Sequence, residues 1–138
     1  MGKQIPKVIR AQEGMPLEIP GGGYGRRMIS LPVSQKMGMG VLYVDRGKSP
    51  HRWHTHDDSD KSGSYEVHYP AGFEEGYFVV QGKGVLQWKA EGKVYEEKVE
   101  TWDTVYFPPG VVESQLLNTS DTPMIVVYAF APPIKPTK

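Results

Sequence analysis

The hydrophobic residues of this chain come in short runs with a period near two. Residues 40–45, 76–80, 85–89, 93–98, 105–107, 114–118 and 124–130 are rich in β-branched and aromatic side chains. No window of about 11–18 residues sustains the 3.6 period of a helix. Turn residues bound the runs: Gly82-Lys83-Gly84, Glu91-Gly92, Pro108-Pro109-Gly110 and Thr119-Ser120-Asp121-Thr122-Pro123. Glycine supplies positive φ, and proline fixes φ and removes a donor, so such clusters stop a strand and reverse it. Regularly spaced short strands with turns between them predict an all-β sandwich or barrel.

Two segments interrupt this rhythm. Residues 1–27 contain Pro6, Pro16, Pro20 and the run Gly21-Gly22-Gly23. They read as an N-terminal arm that wraps the edge of the barrel or a partner subunit. Residues 57–72 open on Asp57-Asp58-Ser59-Asp60 and form a long polar insertion. Long loops in compact domains are often functional, which suggests a lid in which Tyr65 and Tyr69 close over a substrate. The expected organisation is an arm at 1–27, a barrel at 28–131 with the insertion at 57–72, and an extended tail at 132–138.

Composition narrows the classes. A chain of 138 residues suits one domain, with 38% hydrophobic and 23% charged residues. Net charge is zero and no like-charge block occurs, which argues against nucleic acid as a partner. The absence of cysteine removes disulfides, thiolate catalysis and iron–sulfur clusters. The first twenty residues lack the apolar stretch of a secretion signal, and the longest apolar run, 124–131, has eight residues, too few to cross a bilayer. The expectation is a cytoplasmic protein with no membrane partner.

The chemistry concentrates in His54-Thr55-His56. Residues two apart on a strand share a face, with Cα atoms roughly 7 Å apart. Two imidazoles leaning together can share one ion at about 2.0–2.1 Å each. A carboxylate from a neighbouring strand, Glu75, would add a third ligand and leave positions open for substrate. All four histidines, His51, His54, His56 and His68, lie within eighteen residues. His51 is an odd number of residues from His54 and faces away on a regular strand.

These residues also form a pattern. Gly47, His54, His56, Glu75 and Gly82 follow the order of the first motif of the cupin superfamily. Pro108, Gly110, Glu113 and Asn118 follow the order of the second. The chain resembles a small single-domain cupin over about residues 40–130. The resemblance implies a double-stranded β-helix, or jelly roll, around one divalent metal ion. It favours Glu75 over Glu74 through the six-residue spacing to Gly82. It also implies a metal-ligand place for Glu113, where the family has histidine. The sequence departs from the motif in a further respect: eighteen residues separate His56 from Glu75.

The expected ligand set is therefore His54, His56, Glu75 and Glu113, around Fe(II), with Mn(II) or Zn(II) as alternatives. Glu113 doubles as a candidate base, with Gln115 on its face as the back-up. Arg52 shares a face with the two histidines and is a candidate for holding an anionic substrate. Tyr77 and Tyr43 are candidates for lining the cavity. The expected activity is a metal-dependent enzyme acting on a small molecule, first a non-haem Fe(II) dioxygenase. The alternatives are a non-redox isomerase, cyclase or lyase using a glutamate as acid and base, or a non-catalytic sugar-type binding cupin. Exposed sheet edges and the N-terminal arm lead to the expectation of a homodimer.

Overall fold

The computed structural model describes residues 3–19, 23–50, 53–56 and 67–136. Its strands are β1 (Met15–Ile19), β2 (Gly23–Ile29), β3 (Gly38–Val44), β4 (Val67–His68), β5 (Glu74–Gln81), β6 (Gly84–Ala90), β7 (Lys93–Val99), β8 (Thr104–Phe107), β9 (Ser114–Asn118), β10 (Met124–Ala131) and β11 (Lys135–Pro136). A single 3-10 turn at Ala11–Glu13 is the one helical element among the described residues. None of their helices is long and apolar enough to cross a membrane. Each predicted run lies within a strand or ends one residue from it. The fold is the all-β jelly roll.

The longest run shows why. In β10, Met124, Val126, Tyr128 and Phe130 are buried while Ile125, Val127, Ala129 and Ala131 are half-buried. Both faces are apolar, as a central strand requires. It pairs antiparallel with β3 on one side and β5 on the other. The resulting six-stranded sheet has the order β1-β2-β3-β10-β5-β8 and faces a three-stranded sheet, β7-β6-β9. Leu42, Val44, Val79, Leu116, Met124 and Val126 form the centre of the core between them. Burying each such side chain stabilises the fold by about 1.5–3 kcal/mol.

Residues 15–19 and 23–29 belong to this sheet. β1 and β2 form an antiparallel pair, and β2 pairs with β3 from Gly23↔Val44 to Ile29↔Met39. They lie along the edge of the sheet beside β3, and the expected boundary at residue 27 falls inside β2. The insertion at 57–72 returns through β4, whose His68 pairs with Lys135 of β11. Residues 57–66, including Tyr65, lie outside the described residues, and so does the proposed action of that loop as a lid.

The motif glycines and asparagine are structural. Asn118 is fully buried. Its Nδ2 donates to the carbonyls of Val44 at 3.0 Å and Thr122 at 2.9 Å. Its Oδ1 accepts from the Ser120 amide and hydroxyl. Its own backbone donates to Lys48 O and accepts from Gly47 N. One side chain thus ties the end of β9 to the end of β3 and to the turn that follows. Gly82 has φ +98 and sits so close to Met124 that a Cβ would meet its side chain at 2.9 Å. A residue with a side chain is excluded there on both counts.

Candidate functional site

Strand parity decides what faces the interior at the opposite end of the barrel. Gly38 on β3, Phe130 on β10, Glu75 on β5 and Phe107 on β8 form one row across the sheet. Arg27, Gly40, Tyr128, Tyr77 and Val105 form the next. Gly38 and Gly40 leave bare backbone on β3, against which the rings of Phe130 and Tyr128 lie. A Cβ on Gly38 would collide with the Phe130 ring, and one on Gly40 would collide with the Arg26 carbonyl and the Tyr128 hydroxyl.

The histidines enter from a short stretch beside β9. His54 forms an antiparallel bridge with Ser114, exchanging backbone N–H···O bonds of 3.1 and 3.0 Å. Both imidazoles are buried, and their Nε2 atoms approach to 3.1 Å. His56 is surrounded by aromatic rings, with centroids of Tyr69 at 5.2 Å, Phe73 at 5.2 Å and Phe107 at 5.4 Å. Glu75 Oε1 lies 3.4 Å from His56 Nε2. Glu74, one residue earlier, points outward and accepts a hydrogen bond from the Tyr106 hydroxyl at 2.9 Å.

Glu75 lies between Phe107 and Phe130 in register. Burial pushes its carboxyl up to about 8, and the positive charge of Arg27 opposes that rise. Burial also raises the Tyr128 phenol, with Arg27 again opposing. Arg27 Nε donates to the Tyr128 hydroxyl at 3.4 Å, and its guanidinium carbon lies 5.2 Å from the centre of the Phe130 ring.

Does this donor set suit a metal? Two nitrogens bound to one ion at about 2.0–2.1 Å stand about 3 Å apart, the spacing of the two Nε2 atoms. The His56–Glu75 separation is of the same size, and imidazole with carboxylate suits a first-row divalent ion. No group of three His, Asp or Glu side chains among the described residues is placed to hold an ion as it stands. The residues fit by donor chemistry and by two of their separations.

Glu113 does not join them. The inward residues of β9 are Ser114, Leu116 and Asn118. Glu113 has the opposite parity, and its side chain is 40% exposed in an ion pair with Lys89 at 3.3 Å. Ser114, not Glu113, occupies the inward place beside His54. Gln115 also turns away and donates to Gln87 at 2.8 Å. Tyr43 stacks on Tyr24 at 4.8 Å on the outer face and does not line the interior. Tyr77 is buried in the second interior row, 4.9 Å from Phe107. Arg52 and His51 lie outside the described residues. Sequence reasoning passed over Arg27 and Tyr128. Alternation along 124–130 could have placed Tyr128 inside, whereas nothing local marks Arg27.

The fold matches that of 303 chains of solved structures. The polyketide cyclase RemF from Streptomyces resistomycificus superposes with a TM-score of 0.66 at 14% identity, covering 97% of this chain and 87% of that one. The fold is the cupin fold. An RmlC-like cupin from Shewanella frigidimarina matches at TM-score 0.58 and 15% identity, over 94% of this chain and 93% of its own. A protein described as a predicted oxalate decarboxylase, from Thermotoga maritima, matches at 0.60 and 19%, over 91% of this chain and 98% of that one. No protein-family model matches the chain, and neither does any curated protein. At these identities the likeness concerns the cupin architecture and not the reaction.

Proposed function

We propose that this cupin is a metal-dependent enzyme acting on a small molecule, with His54, His56 and Glu75 holding one divalent ion. The observation that carries the reading is the convergence of two buried imidazoles by their Nε2 edges, 3.1 Å apart, inside the barrel. Without an ion, one of those nitrogens must donate its proton to the other. With an ion, both present lone pairs to it. Glu75 then supplies the charge that burial otherwise disfavours. With Glu113 outside, the set is two histidines and one carboxylate. That composition favours the Fe(II) dioxygenase over an isomerase or lyase built on a second glutamate. When bound, the ion would supply open positions for a substrate and for O₂. The aromatic wall of Tyr69, Phe73 and Phe107 keeps water from the histidines and leaves the substrate side to Arg27 and Tyr128.

Metal analysis tests this directly. Protein reconstituted anaerobically with Fe(II), and separately with Mn(II) and Zn(II), should hold about one ion per chain. His54→Ala should abolish that stoichiometry. Wild-type protein that retains none of the three metals after desalting would sink the reading and leave a non-catalytic binding cupin. Oxygen consumption by the Fe(II) form with candidate substrates separates the dioxygenase from non-redox chemistry.

The homodimer belongs to the same proposal. The outer face of the six-stranded sheet exposes Tyr24, Met39, Phe78, Val80, Tyr106 and Trp102, the last at 70%. Trp102 also holds φ +79, an unfavourable backbone for a bulky residue, while packing on Phe78 at 5.9 Å. Sedimentation at micromolar concentration should give twice the mass of one chain, and Trp102→Glu should lower it to one.

A further inference from the structure

Arg27 is an unusual residue to find turned into a barrel. On β2, Arg26 and Arg27 point to opposite faces. Arg26 pairs with Val41 on the outside, while Arg27 stands in the interior row with Gly40, Tyr128 and Tyr77. Its side chain is half-buried. Among the described residues no carboxylate lies within ion-pair distance of it. What it has is one long hydrogen bond from Nε to Tyr128, and the face of Phe130. A guanidinium carries five N–H donors in a planar fork. Its two terminal amino groups therefore have no protein acceptor among the described residues, in a row adjoining Glu75.

The neighbours hold this arrangement in place. Phe130 lies on the bare backbone of Gly38, and Tyr128 on that of Gly40. Arg27 in turn lies over the Phe130 ring and bonds the Tyr128 hydroxyl. The Tyr128 hydroxyl accepts from Arg27, which leaves its own proton to donate. Fork and hydroxyl together make a paired donor set for a planar oxyanion. Among the described residues Arg27 is the one arginine turned to this row, which matches a monoanion, and Arg26 faces away and adds no second charge. That favours a carboxylate over a phosphate dianion.

We propose that Arg27, aided by the Tyr128 hydroxyl, anchors a carboxylate of the substrate, so that the enzyme acts on small carboxylic acids. The inference rests on the function proposed above for its catalytic meaning, but not for the binding itself. The anchored carboxylate points the rest of the acid toward His54, His56 and Glu75, between Phe107 and Phe130. Arg27 thus offers, from β2, the kind of contact that the sequence suggested for Arg52, which lies outside the described residues.

Calorimetric titration of metal-free protein with benzoate, acetate, benzamide and phenyl phosphate tests the anchor apart from the metal. Benzoate should bind more tightly than its neutral isostere benzamide. Arg27→Gln should weaken benzoate by about 10- to 100-fold and leave benzamide unchanged. Arg27→Lys should recover part of the loss, since it restores charge without the fork. Tyr128→Phe should weaken benzoate by a smaller factor. Thermal melts of each variant establish that the fold is intact. Equal binding of benzoate and benzamide, wild-type affinity in Arg27→Gln, or tighter binding of phenyl phosphate than benzoate would each overturn the proposal. So would the failure of both benzoate and acetate to bind the wild type at about 10 mM. If the protein binds no metal yet shows the Arg27-dependent preference, the metal reading fails and the anchor stands.

Discussion

The two ends of the barrel use polar residues in opposite ways. At the end marked by Asn118, every polar atom of that side chain has a partner, and the partners lie in two segments, the end of β3 and the turn after β9. At the other end, His54, His56, Glu75, Arg27 and Tyr128 meet among phenylalanines with longer separations of 3.1–3.4 Å. A satisfied buried network fixes a structure, whereas a loosely satisfied one costs stability and leaves capacity for a ligand. The same fold therefore carries a stabilising end and a receptive end.

The largest effect should come from damaging the stabilising end. Asn118→Leu keeps the branched outline but adds methyl bulk and leaves the Val44 carbonyl and the Ser120 amide without the Asn118 side chain. The expected loss is about 3–5 kcal/mol in urea unfolding, a large share of a small domain's stability. A loss under about 1 kcal/mol would erase the contrast between the two ends.

A smaller effect is expected at the receptive end. Gly40→Ala places a Cβ against the Arg26 carbonyl and 2.6 Å from the Tyr128 hydroxyl. Overpacking of this kind should destabilise by about 1–3 kcal/mol. Because Tyr128 moves, benzoate binding should fall in the same variant, whereas Asn118→Leu protein that still folds should bind benzoate normally. Unfolding curves and titration of both variants sharpen the comparison.

The smallest effect is expected outside both ends. Glu113→Gln removes a half-exposed ion pair with Lys89 and should change stability by about 0–1 kcal/mol. Metal stoichiometry should be unchanged. Loss of bound metal in Glu113→Gln would return that residue to the ligand set from which the strand geometry removes it.

How much of this was legible in the sequence depended on whether the cause was local. Strands with apolar alternation, such as β10, declare themselves, because both the pleat and the burial are written in consecutive residues. The strands β1 and β2 were not foreseen because Pro16, Pro20 and three successive glycines carry no strand pattern. Those strands owe their existence to pairing with β3, which no local pattern records. The approach of His54 to His56 could be anticipated from their two-residue spacing. Glu113 was misplaced by counting motif positions when parity governs a strand. It stands five residues from the inward-facing Asn118, an odd number, so the two cannot share a face. Arg27 carried no signal because its position depends on a glycine thirteen residues later and a tyrosine at 128.

The facing of Gly38 with Phe130, and of Gly40 with Tyr128, bears on how this barrel can change over evolutionary time. Each pair fills one fixed space, so neither member can vary alone. A lineage that gains a side chain at 38 must shrink Phe130, and one that gains it at 40 must both shrink Tyr128 and shift the Arg26 carbonyl. The larger residue would then grow from β3 instead of β10, and the interior would be resculpted from the other wall. Shrinking Tyr128 would also remove the hydroxyl that steadies Arg27. Drift at either position should therefore travel with a change in the small molecules that bind beside Arg27, because Phe130 also packs on that guanidinium.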